Sequence, residues 1–184
     1  MSDILKLKKF SQLKHVLRDI DVDKRIESTA EHCRSSLILA DYFLSLMKLN
    51  IDRMKVYELL MYHDLVEIET GDTPAHHLEA RKAKAEQERL AMEKIGSEMP
   101  NVLREKYFKL FREFEEKKTL ESRFANAVDK LDADISAMDS TDESFVWWTE
   151  DLAREIKQKH YLEFPEINAI FEEVVLWYKE RGVI

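Results

Sequence analysis

His63 and Asp64 stand side by side within the segment Met61-Tyr62-His63-Asp64-Leu65-Val66-Glu67, in the middle of an otherwise apolar stretch. Two adjacent ionisable side chains are costly to bury there unless something pairs with them. A divalent cation is one such partner, because it accepts an imidazole nitrogen and a carboxylate oxygen together. Glu67 lies four residues after His63 and three after Asp64, so on a helix all three address one side. Further donors must come from elsewhere in the chain. His32 follows the capping-box pattern Ser28-x-x-Glu31 at the start of a long periodic segment, and Asp129 sits one position from Val128 in another. Two imidazoles with two carboxylates form a borderline-hard donor set that suits Mn²⁺, Co²⁺, Fe²⁺, Ni²⁺ or Zn²⁺ and leaves room for water and a substrate. An isolated His-Asp pair on a helix is more often structural. On spacing alone, a buried ionic pairing and a metal site both remain open.

The elements that must carry these residues read as helices. Periodicity and punctuation predict about seven, over 3–18, 29–49, 53–70, 77–96, 101–117, 120–139 and 165–181, with a further helix near 143–160. The segment 120–139 places Phe124, Val128, Leu131, Ile135 and Met138 at alternating steps of four and three, an apolar stripe that faces a core. Segment 79–94 is mostly charged and reads as an exposed helix. There are only three glycines and three prolines. Gly71, Gly96 and Gly182 fall where helices end, and Pro74, Pro100 and Pro165 where new ones begin. Alternating strand patterns and hairpin dipeptides are absent. The expectation is an all-α fold, with residues 1–184 forming a single domain.

Composition narrows the function. The 184 residues are 45% apolar and 36% charged, as in a globular chain. Against 37 acidic residues stand 29 lysines and arginines, a net charge of −8, which argues against polynucleotide or anionic-membrane partners. A small anionic ligand remains compatible through a few local cations or a metal. The longest purely apolar run, Val174–Tyr178, is too short to span a bilayer, and the N-terminus has no signal-peptide core. The single cysteine, Cys33, permits no intramolecular disulfide and no thiolate cluster. A cytoplasmic location is expected.

Three strings together resemble the HD-domain hydrolases: Glu27-Ser28-Thr29-Ala30-Glu31-His32, then Tyr62-His63-Asp64-Leu65-Val66-Glu67-Ile68-Glu69-Thr70-Gly71-Asp72-Thr73-Pro74, then Ala127-Val128-Asp129-Lys130-Leu131. More narrowly, the chain is similar to the branch that contains the YfbR-like 5′-deoxynucleotidases, over about residues 10 to 140. The resemblance implies His32, His63, Asp64 and Asp129 as metal ligands and Glu67 and Asp72 as catalytic carboxylates. It also implies Arg18, within Leu13-Lys14-His15-Val16-Leu17-Arg18, as the phosphate-binding arginine, with Arg25 as its competitor. Members often carry a tryptophan soon after that arginine, beside the sugar. This chain reads Asp19-Ile20-Asp21-Val22-Asp23 there, which predicts weak selection for deoxyribose.

The implied activity is metal-dependent hydrolysis of a nucleoside 5′-monophosphate, a small-molecule partner. A nucleoside triphosphate, an alarmone or another phosphate ester is the alternative substrate, and non-catalytic metal and nucleotide binding in a regulatory protein is the alternative role. Asp72, in its Gly-Asp-Thr-Pro turn, is the candidate general acid, and Glu67 the group that orients or deprotonates water, with exchange of the two roles left open. Lesser candidates take plainer readings. His76 and His77 form an exposed pair. Asp132 is either a ligand-orienting carboxylate or a salt-bridge partner, and Asp134 is solvated. Cys33 fills the core, and Phe145-Val146-Trp147-Trp148 serves a core or a homodimer surface.

Overall fold

Residues 2–72, 78–139 and 149–184 are described by the computed structural model, with side-chain detail excepted for 78–85 and 139. The helix that carries the apolar stripe, α7 (Leu120–Ser136), organises the rest. Phe124, Val128 and Leu131 of its stripe are fully buried. Its N-cap, Thr119, accepts from the Ser122 N–H. Around α7 pack α2 (Thr29–Leu46), α3 (Arg53–Tyr62), α6 (Asn101–Glu116) and α9 (Pro165–Glu180). Phe43 from α2, Leu59 and Leu60 from α3, Tyr107 from α6 and Ile167 from α9 close the core. The fold is all-α, as expected. No helix among the described residues is long and apolar enough to cross a membrane.

Three expectations need correction. The first concerns the N-terminal helix expected over 3–18. Instead, α1 (Asp3–Phe10) gives way to a 3₁₀ turn over Ser11–His15 and then to an antiparallel hairpin of β1 (Leu17–Val22) and β2 (Arg25–Ser28). The hairpin turns at Asp23, whose φ of 55° is left-handed, a conformation that aspartate tolerates better than most residues. Between Leu17 and Asp21 the register shifts, so β1 bulges where it passes Arg18. That irregularity breaks strict alternation and explains why no strand pattern is visible in the sequence.

The second correction concerns the expected 53–70 helix. It is interrupted after Tyr62 by a 3₁₀ turn over His63–Val66 and resumes as a single turn, α4 (Glu67–Thr70). Such a tightening re-aims side chains relative to a continuous helix, and here it falls on the His-Asp pair itself. Gly71 then closes α4 with φ of +69°, a conformation that strains any residue bearing a Cβ. α4 is held from outside, since Glu69 pairs with Lys9 of α1 and with Lys94 of α5 (Leu78–Glu98).

The third concerns α5. Gly96 lies inside this helix rather than beyond its end, and a Cβ there would sit 2.3 Å from Phe108 Cζ of α6. The glycine is present so that a ring can pack against helical backbone. α5 is exposed at Glu86, Gln87, Arg89 and Leu90, as its charge predicts, but Ala91, Met92 and Ile95 enter the core. Among the described residues a further helix, α8 (Glu150–Lys157), lies within the segment expected near 143–160.

Candidate metal centre

Four side chains from three places in the chain converge. His32 stands one turn into α2, His63 and Asp64 in the 3₁₀ turn after α3, and Asp129 midway along α7. One donor atom from each lies within 4.8 Å of the others. His32 Nε2 is 2.9 Å from Asp129 Oδ1 and 3.7 Å from Asp64 Oδ2. His63 Nε2 is 3.3 Å from Asp129 Oδ1 and 3.1 Å from Asp64 Oδ2. Both imidazoles are buried, and Phe114 of α6 packs on the His63 ring at 4.8 Å between centroids.

The opposite ring nitrogens decide what this cluster asks for. His32 Nδ1 meets Asp132 Oδ2 at 2.8 Å, and His63 Nδ1 meets the Leu60 carbonyl at 2.8 Å. Both partners accept only, so each Nδ1 carries the hydrogen. In a neutral imidazole the Nε2 lone pair then points inward at carboxylate oxygens, a repulsion that only a proton or a cation between them relieves. The ionisation of the group reflects that demand. Burial alone would lower both histidine pKa values. For His32 the hydrogen bonds to Asp129 and Asp132 outweigh it, and for His63 the charge of Asp64 and the bond to Asp129 do, so both rise, His63 strongly. Burial likewise opposes the charged carboxylates, yet the histidines hold Asp64 below its ordinary value and Asp129 well below. A divalent cation fits this donor set, taking the place of the two Nε2 protons.

Arg18 leans into the cluster from β1. Its Nη1 is 3.9 Å from Asp64 Oδ2, and its Nε is 3.4 Å from Glu27 Oε2 of β2. Burial would lower its pKa, but the charges of Asp64, Asp72, Asp129 and Glu67 raise it. Both sequence-expected carboxylates therefore bear on the same guanidinium. Glu67, at the start of α4, is buried and accepts a hydrogen bond from Thr29 Oγ1 at 2.9 Å. Asp72 is half-buried just beyond Gly71. The competitor Arg25 faces away from these groups. It is exposed and makes two hydrogen bonds with Glu31, at 2.8 and 2.5 Å, while Glu31 also accepts from the N–H of the N-cap Ser28. These contacts hold the Glu31 carboxyl down at about 2.

Lesser candidates sort themselves. Asp132 is buried and joins His32 Nδ1 and Ser35 Oγ, so it is no surface bridge. Asp134 is not solvated as expected, because it accepts from Lys157 Nζ at 2.7 Å and Tyr161 OH at 2.6 Å. Cys33 packs partly buried against the core, and burial with the neighbouring Asp64 pushes its thiol well up, which suits a filler. His76, His77 and Phe145–Trp148 lie outside the described residues. Sequence reasoning gave no role to Glu27 or Thr29, although both stand in the Glu27–His32 string. The available signal was the need of a buried arginine for a counter-charge.

A family model for the HD domain matches residues 10–168. A 5′-deoxynucleotidase of Xenopus laevis is 28% identical over 137 residues, covering 72% of this chain and 66% of that protein, so the chain spans just under two thirds of its length. A predicted metal-dependent phosphohydrolase from Magnetospirillum magnetotacticum has a similar structure, with a TM-score of 0.80 at 24% identity, covering 98% of this chain and 93% of that one. An HD-domain phosphohydrolase from Listeria innocua gives 0.73 at 22% identity, over 100% and 92%. At these identities the two structural likenesses show a common fold.

Proposed function

This chain belongs to the HD domain family, and from that premise we propose that it is a metal-dependent phosphohydrolase that removes the 5′-phosphate from nucleoside 5′-monophosphates. The observation that carries the reading is the buried Arg18 guanidinium beside a four-ligand cluster, with Glu67 and Asp72 bearing on the same charge. His32, His63, Asp64 and Asp129 would hold the cation, which when bound supplies Lewis acidity to a phosphate oxygen and to the attacking water.

The protein groups divide the remaining tasks. Arg18 offers planar donors to the phosphate oxygens and orients them. Glu67 orients the water and takes its proton. The nucleoside oxygen leaves as a poor alkoxide unless protonated, and Asp72 delivers that proton. The Xenopus 5′-deoxynucleotidase supports the choice of substrate class.

Phosphate release from a set of nucleotides, measured on chelated and then metal-reconstituted protein, tests the reading. Glu67→Gln and Asp72→Asn each keep size and metal, and each is expected to lower kcat by at least about 10²-fold while nucleotide affinity stays unchanged by calorimetry. Full turnover in both variants overturns the acid–base roles. Nucleotide binding by the wild-type protein without phosphate release under any metal points instead to a regulatory role.

A further inference from the structure

Thr29 is the first residue of α2 and is fully buried, yet it does not cap the helix, because Ser28 occupies the N-cap. Its backbone N–H is bound by the Val16 carbonyl at 2.9 Å. Its hydroxyl proton is directed at Glu67 Oε2, 2.9 Å away, across 38 residues of sequence. A buried hydroxyl carries a desolvation cost that valine, of nearly the same shape, would not. Core filling therefore does not account for the threonine.

The far end of the bond is an element with little rigidity of its own. α4 is four residues long, and Glu67 is its first. A single turn has almost no intrinsic stability, so its backbone alone does not fix a carboxylate to the precision that proton transfer requires. Thr29 lies three residues before His32 on α2, one turn away on the same side of the helix. The hydrogen bond therefore references Glu67 to the helix turn that presents a metal-ligating histidine.

We propose that the Thr29 hydroxyl is a positioning group that fixes the Glu67 carboxylate for its role toward the attacking water, an inference that rests on the phosphohydrolase reading above. The hydrogen bond holds Oε2 of Glu67, and with it the orientation of the whole carboxylate.

Thr29→Val removes the donor and keeps the shape, while Thr29→Ser keeps the donor and loses a methyl. Thr29→Val is expected to lower kcat about tenfold with KM within about twofold, the scale of one lost hydrogen bond, while Thr29→Ser stays within about threefold of wild type. Thr29→Val combined with Glu67→Gln is expected to be no slower than Glu67→Gln alone, because the two act as a unit. Metal content by elemental analysis is expected to be equal in all of these proteins. Crystal structures of the two Thr29 variants read the same point without turnover, with the Glu67 carboxylate displaced in the valine variant and in place in the serine variant. Wild-type kcat in Thr29→Val, an additive loss in the double variant, or an unmoved Glu67 overturns the proposal. Should the wild-type protein release no phosphate from any nucleotide, the functional reading fails, and the position of Glu67 in the crystals alone decides on Thr29.

Discussion

Arg18 and Arg25 are seven residues apart, and on sequence each was a candidate for the phosphate. The hairpin separates them. Arg18 points from β1 toward Asp64 and the candidate metal cluster, whereas Arg25 grips the exposed carboxylate of Glu31 on α2. Arg18→Ala is expected to lower kcat/KM by one to two orders of magnitude, or about 1.4–2.8 kcal/mol of transition-state stabilisation. Arg25→Ala is expected to leave turnover near wild type and to cost only helix-start stability. Metal content should be unchanged in both and lost in His63→Ala, since His63 offers Nε2 to the cluster and Arg18 offers no lone pair. The reverse ranking of the two arginines would remove Arg18 from the phosphate. At this scale the sequence was informative because ligand chemistry is written in residue type. His, Asp and Glu in buried helical settings announce a need for partners. What stayed hidden were groups whose side chains are ordinary in themselves. Thr29 and Glu27 acquire meaning only when folding sets them against Glu67 and Arg18.

Elements were legible where periodicity ran unbroken and illegible where it was interrupted for the sake of the site. α7 and α9 follow their apolar patterns closely. The hairpin and the 3₁₀ turn at His63 do not, because a bulged six-residue strand and a four-residue tightening are shorter than the windows over which periodicity is read. Those two departures present Arg18, His63 and Asp64. The hairpin also bears on the sugar. Between Arg18 and Arg25 it carries Asp19, Ile20, Asp21, Val22, Asp23 and Lys24, and Ile20 is turned into the core. With no aromatic face available from that segment to stack on a ribose ring, discrimination between ribose and deoxyribose is expected to be weak. Paired kcat/KM values for ribo- and deoxyribonucleoside 5′-monophosphates of one base measure it, and a ratio within about tenfold, or 1.4 kcal/mol, is the expected result. A strong deoxy preference would mean that a residue outside the hairpin reads the sugar.

Across the whole molecule, the acidic balance conceals a local concentration of lysines around His160 that folding completes. His160, in the 3₁₀ turn after α8, is half-buried with its Nδ1 3.3 Å from Asn126 Nδ2 of α7. Burial first, and then the charges of Lys130, Lys159, Lys117 and Lys157, push its pKa down to about 4. Lys157 and Lys159 are sequence neighbours of His160, whereas Lys130 and Lys117 are brought to it only by folding. The unfolded chain, with an ordinary histidine pKa near about 6.5, binds the proton more readily than the folded one. Stability therefore falls as pH drops below about 6.5, and the loss is complete below about 4. Discounted for the partial exposure of the ring, the penalty is on the order of 1–2 kcal/mol, which corresponds to a Tm change of several degrees in a chain of this size. His160→Gln keeps an acceptor for Asn126 and removes the titration. Thermal melts of both proteins from pH 7 to 4 are best made with a chelator present, so that the titration of His32 and His63 is not coupled to any cation. Their contribution is then common to both proteins and cancels in the difference. Wild type is expected to lose Tm faster than His160→Gln across that window, with the two curves running parallel below about pH 4. Curves that stay parallel from pH 7 down would show that His160 titrates alike in the folded and unfolded chain, and that the lysines around it are screened.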